Sequence, residues 1–450
     1  MNEQISYNRS YTFIFTLFYF AQGFCQGVPF LVWKSYIVHV LGDVDIALWL
    51  IIYAVGNIPW AIKMIVGIFN DKIGSRKYGR RFPWIISFGS FGAIWWFIMA
   101  FYTPTNQSIY LWLAIYYFMT QLGMAFADTA LDGLILDVTP KTKLARVQGY
   151  TWTVMFLGYG VGGMLLTLIL GLDNIYIVHI ITGVLMFLSC ILPYKIKEPD
   201  IEDIPLKEFG KDLLTFATKK RNWKVYIYTF LGAFQGVMLL DFLTYTILIS
   251  MGIINVEDTV LSITQGGAID LLGWGSLFYF ASGVGTVIGS LISGKFGDRS
   301  RKKTISTVFL SFIPYCLLLV LPFTFTSNFY AALSLGILFQ ILFGAFQNAL
   351  TVVNQTIRGD LAKKYYPNLK STYFALVVSL INAGQNVGTL IGAALLSFLV
   401  IFIDNFFINM FIISSFCSFS LFSSYIIFRT IDPIDYELGG AIKIESASNP

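Results

Sequence analysis

Gly67-Ile68-Phe69-Asn70-Asp71, trailed by Lys72, Arg76, Lys77, Arg80 and Arg81, returns 227 residues later as Gly294-Lys295-Phe296-Gly297-Asp298, trailed by Arg299, Arg301, Lys302 and Lys303. Each copy closes an apolar stretch of at least about 20 residues, the length a helix needs to cross roughly 30 Å of hydrocarbon. A repeat at half the length of a 450-residue chain points to two similar halves joined head to tail. Composition supplies the solvent: 56% hydrophobic residues against 12% charged ones place most of this chain in lipid.

Outward from the two copies, apolar stretches fall at 11–33, 46–70, 82–101, 110–136, 147–170 and 174–194, then at 224–250, 271–296, 304–323, 329–357, 372–399 and 406–428. The pattern predicts an all-α integral membrane protein, with twelve transmembrane helices in two six-helix bundles related by pseudo-two-fold symmetry. The expected divisions are an N-terminal bundle at 1–194, a cytoplasmic linker at 195–223, a C-terminal bundle at 224–431 and a tail at 432–450. Within the linker, LKEFGKDLLTFATKK has near-helical apolar spacing, so a short surface helix competes there with a solvated connector.

Basic residues sort by alternate loops. One set carries Lys72 to Arg81, then Lys141, Lys143 and Arg146, then Lys195 to Lys224, Lys295 to Lys303 and Arg358 to Lys370; the other carries only Lys34, at the end of the first span. Basic residues near span ends stay on the cytoplasmic side, which puts both termini in the cytoplasm of a protein read here as a plasma-membrane monomer. The opening MNEQISYNRS has no Lys-rich start and no cleavage site, so the first span is expected to remain in the mature protein. Cys25, Cys190, Cys316 and Cys417 fall inside spans, and no Cys/His cluster has metal-ligand spacing, so neither a disulfide framework nor a metal is expected.

The Gly-x-x-x-Asp-basic loop after the second span, repeated after the eighth, resembles the signature loop of the major facilitator superfamily, and the resemblance covers the whole chain. PWAIKMIVGIFND (59–71), GRRFPWI (79–85) and ADTALDGLILDVTP (127–140) are similar to the branch of muropeptide permeases, acetyl-CoA transporters and folate and biopterin transporters. GRRFPWI is also similar to the glycoside and pentoside cation symporters. The resemblance implies two rocking bundles, a cavity lined by the first, fourth, seventh and tenth spans, and gates at the repeated loops. Those gates would use Gly67, Asp71, Arg76, Arg80 and Arg81 in one half and Gly294, Asp298, Arg299 and Arg301 in the other. Asp71 would face the positive end of the eleventh span near Ser371, Asp298 would face that of the fifth, and Gly67 and Gly294 would let helices approach closely.

An ionisable group inside a span is costly enough to suggest function, and Lys63, Asp128, Asp132 and Asp241 qualify. Lys63 lies eight residues before Asp71 and Asp128 nine before Asp137, so the two share a depth in parallel spans. Asp128 and Asp132 share a helix face, with Gln121 on the same stripe. Two carboxylates and one ammonium can hold a proton or a cation between them, which would make a coupling device; a static brace is the competing reading. Gln22, Gln26, Gln121, Gln235, Gln347, Asn382, Gln385 and Asn386 fall mostly near mid-membrane and suit a neutral or zwitterionic substrate, although any one of them can serve as an interhelical hydrogen bond.

Gly158-Tyr159-Gly160-Val161-Gly162-Gly163 spells a dinucleotide motif, but within an apolar span it reads as close helix packing. No set of nucleophile, base and metal is recognisable, so an enzyme is not expected, and no cofactor or nucleic acid is implied. The functional expectation is a secondary active transporter of a small organic solute, coupled to a proton or sodium ion and embedded in membrane lipid. A transport-inactive receptor or scaffold on the same fold is the alternative.

Overall fold

In hydrocarbon a backbone amide finds no water, and only a helix satisfies it within one segment. The computed structural model is accordingly almost all helix. It describes residues 8–75, 77–106, 108–139, 141–160, 162, 165–198, 210, 214–263, 268–297, 299–326, 328–366 and 370–437. The long helices are α1 (Arg9–Leu41), α2 (Ile46–Asn70), α3 (Phe82–Phe101), α4 (Ile109–Val138), α5 (Lys141–Gly160) and α6 (Ile175–Ile191). After them come α7 (Lys220–Leu231), α8 (Gly236–Ser250), α9 (Ala268–Gly297), α10 (Arg301–Leu318), α11 (Phe329–Tyr365), α12 (Lys370–Leu399) and α13 (Phe406–Phe428). Among the described residues, ten helices are long and apolar enough to cross a membrane. Large apolar side chains such as Phe101, Phe325, Leu291 and Ile169 are exposed, as lipid contact allows.

The chain divides into two compact units, one of Met1–Val44, Ile51–Pro205 and Gly266–Ser276, the other of Asp45–Leu50, Leu206–Gln265 and Leu277–Pro450. The expected linker falls mostly, and the tail largely, outside the described residues. All four cysteines are free and buried.

Three helices carry internal breaks with identifiable causes. α1 widens into a π turn at Val28–Val32, where Pro29 lacks the N–H that an α ladder requires. α2 loosens at Asn57, just before Pro59, and again at Lys63. Between α7 and α8 the chain turns through Gly232 to Gln235 before the helix resumes. Carbonyls near that break are taken up by serines of α13: Ser420 Oγ donates to the Leu231 oxygen at 2.8 Å and Ser424 Oγ to the Tyr228 oxygen at 2.6 Å.

Apolar burial does not drive helices together in lipid, so close backbone contact must do it. In the first unit α1 meets α5 through glycines: a Cβ on Gly23 would strike the Met155 carbonyl, one on Gly27 the Tyr159 carbonyl, and one on Gly158 the Phe20 carbonyl. Gly162 faces the Phe24 ring, so two glycines of the dinucleotide-like motif serve this seam. In the second unit Gly285 and Gly289 of α9 lie against carbonyls of α11, and Gly384 and Gly388 of α12 lie against those of Phe230 and Phe234. Among the described residues, a Cβ on Gly294 would meet nothing within 4 Å. The tight contacts of α9 sit farther up the helix, at Gly285 and Gly289.

Two expectations need correction. The fold is not purely helical, because Ile254–Glu257 (β1) pairs antiparallel with Val260–Ile263 (β2) across a two-residue turn at Asp258 and Thr259. Asp258 adopts φ 53° there, and the Ile46 amide donates to the Thr259 carbonyl at 2.9 Å. Helices also outlast their apolar stretches. α1 continues to Leu41 and α11 to Tyr365, because the hydrogen-bond ladder does not stop where hydropathy does.

Candidate functional site

The break in α2 holds Lys63, which is 5% exposed, opposite Asp128 of α4, which is 2% exposed. Their Nζ and Oδ2 atoms are 2.9 Å apart. Asp132, one turn farther along α4, brings its Oδ2 to 3.9 Å from the same nitrogen, while its Oδ1 accepts a hydrogen bond from the Tyr19 hydroxyl of α1 at 2.6 Å. Lys63 also lies 5.3 Å from the Trp60 ring centre, within cation–π range. Trp60 Nε1 donates to Gln121 Oε1 at 2.9 Å, and Gln121 Nε2 donates to the Cys25 carbonyl at 2.9 Å. Ionised, the group carries two negative charges and one positive, so a single proton or monovalent cation completes it. Tyr19 and Trp60 were not among the expected residues; the signal for Tyr19 is that it shares a helix face with Gln22 and Gln26.

The loop after α2 is pinned from two sides. Arg80 Nη2 and Arg81 Nε reach Asp137 Oδ2, at the end of α4, at 2.9 and 3.0 Å. Glu198, just beyond α6, accepts from the backbone N–H groups of Arg80 at 2.6 Å, Arg81 at 2.9 Å and Phe82 at 2.9 Å, capping the positive end of α3. Gly79 makes the approach possible, with φ +81° and Glu198 packed where a Cβ would stand. In the second unit Arg301 Nε lies 3.5 Å from Asp360 Oδ2, an ion pair by proximity rather than a hydrogen bond. Its guanidinium also donates to the Gly297 carbonyl, and Arg299 stands 5.7 Å from the Phe296 ring centre. Each unit thus ties a basic residue of its loop to a carboxylate near the end of a long helix. Arg76, Asp298 and the Asp71 side chain lie outside the described residues, and with them the expected dipole contacts.

Asp241 of α8 is 1% exposed and accepts a hydrogen bond from the Tyr279 hydroxyl of α9. The amides behave unequally. Gln121 is spent on the internal chain just described, and Gln235 Nε2 donates to Gln347 Oε1 at 3.2 Å. Gln22 Oε1, Gln235 Oε1 and Asn386 Nδ2 are buried without a hydrogen-bond partner among the described residues, and so remain available. Gln26, Asn382 and Gln385 are half-buried. Two cations read from the sequence as span-end residues are buried instead: Lys34, 4.8 Å from the Phe30 ring centre, and Arg358, inside α11.

Against known proteins, the model of the BT1 family matches residues 22–266 and that of the Major Facilitator Superfamily residues 252–437. A probable folate-biopterin transporter 4 of Arabidopsis thaliana is 28% identical over 166 residues, 35% of this chain and 32% of that protein. A folate-biopterin transporter of Synechocystis is 27% identical over 144 residues, 31% of this chain and 28% of that one. The match therefore spans about a third of the length of these relatives. The fold is shared far more widely. A D-xylose-proton symporter superposes with TM-score 0.67 at 13% identity, covering 94% of this chain and 97% of its own. The nucleoside transporter NupG gives 0.65 at 12%, covering 93% and 100%, and a bacterial homologue of the lysosomal transporter Spinster gives 0.61 at 14%, covering 94% and 97%. With its family model covering more than half of the residues, the chain belongs to the BT1 family.

Proposed function

We propose that the chain is a secondary active transporter of a folate- or biopterin-type solute, working by alternating access and driven by a proton or sodium gradient. The observation that carries the reading is the buried Lys63, Asp128, Asp132 and Tyr19 group, which lacks one positive charge when ionised. The solute class is taken from the names of the relatives. On this reading α5 together with the separate helix Leu166–Leu170, and the broken pair α7 and α8, add two crossings to the ten apolar helices, giving twelve in two pseudo-symmetric bundles at 1–194 and 224–431. Both termini and the 195–223 linker are cytoplasmic, and the protein is a plasma-membrane monomer. The repeated loops act as gates through Gly67, Asp71, Arg76, Arg80 and Arg81 and through Gly294, Asp298, Arg299 and Arg301. Gln22, Gln26, Gln235, Gln347, Asn382, Gln385 and Asn386 supply hydrogen bonds to the solute, while Gln121 braces the coupling group.

Purified protein in liposomes should accumulate radiolabelled folate or biopterin under an imposed proton or sodium gradient and lose the accumulation when the gradient is collapsed. Binding without uptake under either gradient would replace this reading with a receptor or scaffold on the same fold.

A further inference from the structure

We propose that Arg358 is an oxyanion anchor within the second unit, taking the carboxylate of the transported solute or the phosphate of a lipid or free ion. Among the described residues, three arginines are at most 6% exposed: Arg81, Arg301 and Arg358. The first two are ion-paired with Asp137 and Asp360. Among the described residues Arg358 makes no ion pair, and its Nε and Nη1 have no hydrogen-bond partner. Tyr228, which lies beside its guanidinium, donates from its hydroxyl to Asn354 Oδ1 at 3.3 Å. Asn354 and Arg358 are four apart and share one face of α11.

The surroundings are aromatic and electropositive. Tyr373 stacks on Tyr366 with ring centres 4.8 Å apart, Phe216 meets Tyr366 edge-on at 4.7 Å, and the Arg221 guanidinium lies 3.2 Å from the Tyr365 ring centre. A neutral phenol and an amide can orient a guanidinium but cannot balance it, and a buried charge left unbalanced is costly. A planar fork of N–H donors matches the two oxygens of a carboxylate or phosphate. The assignment of the solute carboxylate rests on the transport reading above; the anchor itself does not.

The test uses the purified full-length protein and its thermal unfolding with folate, which carries carboxylates, with biopterin, which carries none, with inorganic phosphate, and in phosphatidylglycerol against phosphatidylcholine. At least one oxyanion should raise the melting temperature. Folate acting alone identifies the solute as the source, while phosphate or phosphatidylglycerol acting alone identifies the other. Arg358→Gln should weaken that oxyanion's binding by about tenfold or more, as loss of a charge-assisted contact does, and leave biopterin unaffected. Arg358→Lys, with charge but no fork, should fall between. Without ligand, Arg358→Gln should melt no lower than the parent, since it removes an unbalanced charge. The anchor is overturned if no oxyanion shifts the parent, if Arg358→Gln binds oxyanions as the parent does, or if ligand-free Arg358→Gln melts lower, as a brace requires. A protein that moves biopterin yet binds no oxyanion keeps the transport reading and loses this one; an Arg358-dependent phosphate shift with no uptake of either solute does the reverse.

Discussion

Replacing Asp128 by asparagine removes one negative charge from a site holding two carboxylates and one ammonium, while changing little of its shape. At an effective dielectric constant of about 20, the attraction of Lys63 to Asp128 at 2.9 Å is roughly 6 kcal/mol and to Asp132 at 3.9 Å roughly 4 kcal/mol, before desolvation. Asp132 therefore stays as a counter-ion in the variant, and the repulsion between the carboxylates disappears. The net loss of stability should be about 1 to 2 kcal/mol, below the roughly 3 to 5 kcal/mol typical when a buried pair is broken outright. Lys63→Met leaves both carboxylates without a cation and should reach that larger cost. The functional prediction follows from the same count: Asp128→Asn fixes the site in its neutral state, so it should abolish uphill accumulation and spare solute binding and counterflow between equal pools. Thermal unfolding and uptake are read on both single variants and on the double variant. If Asp128→Asn accumulates solute like the parent, or if the double variant regains uphill transport, the pair is a brace. The driving ion would then bind elsewhere, with Asp241 the next candidate.

In a variant without native cysteines, a single cysteine at Asn106 or Asp404 should label from outside and one at Pro205 only from inside; the reverse pattern overturns the topology. Asp71→Asn and Asp298→Asn should each slow solute turnover with normal membrane insertion, and unchanged rates in both would remove the gate. Glu198→Gln should cost about 1 kcal/mol through the weakened cap on α3, with Gly79→Ala costing at least as much because of its positive φ; unfolding midpoints equal to the parent's would refute the cap. Gly23→Leu should force α1 from α5 at a cost of about 1 to 3 kcal/mol, while Gly294→Ala should stay within about 0.5 kcal/mol, and similar melting of the two variants would refute the glycine seam.

Much of this was legible in the residues, and unevenly. The apolar segment 406–428 coincides with its helix because polar caps bracket it, whereas α11 runs past the apolar stretch that Arg358 ends. Lys63 and Asp128 could be paired from depth alone, since both were counted back from span ends, and the structure brings them within hydrogen-bond distance. Glu198 could not be found this way, because its partners are backbone amides that no side-chain identity announces. The hairpin around Asp258 follows the alternation in INVEDTVLSI, although apolar strand residues between two spans resemble spare hydrophobic length. Hydropathy ranks whole segments and says little about which nitrogen finds which oxygen.

The glycine seams also bear on inherited variation. Every single-base change in a glycine codon that exchanges the residue adds a side chain, and at Gly23, Gly27, Gly158, Gly285, Gly289, Gly384 and Gly388 the added atom meets a backbone carbonyl of the neighbouring segment. No smaller residue exists to fall back on. These positions therefore accept no neutral missense step, and recovery from one demands a second change that moves a whole helix. Natural alleles of this chain should be depleted there more steeply than at Gly273, Gly275 or Gly283, where the added atom meets open space on α9.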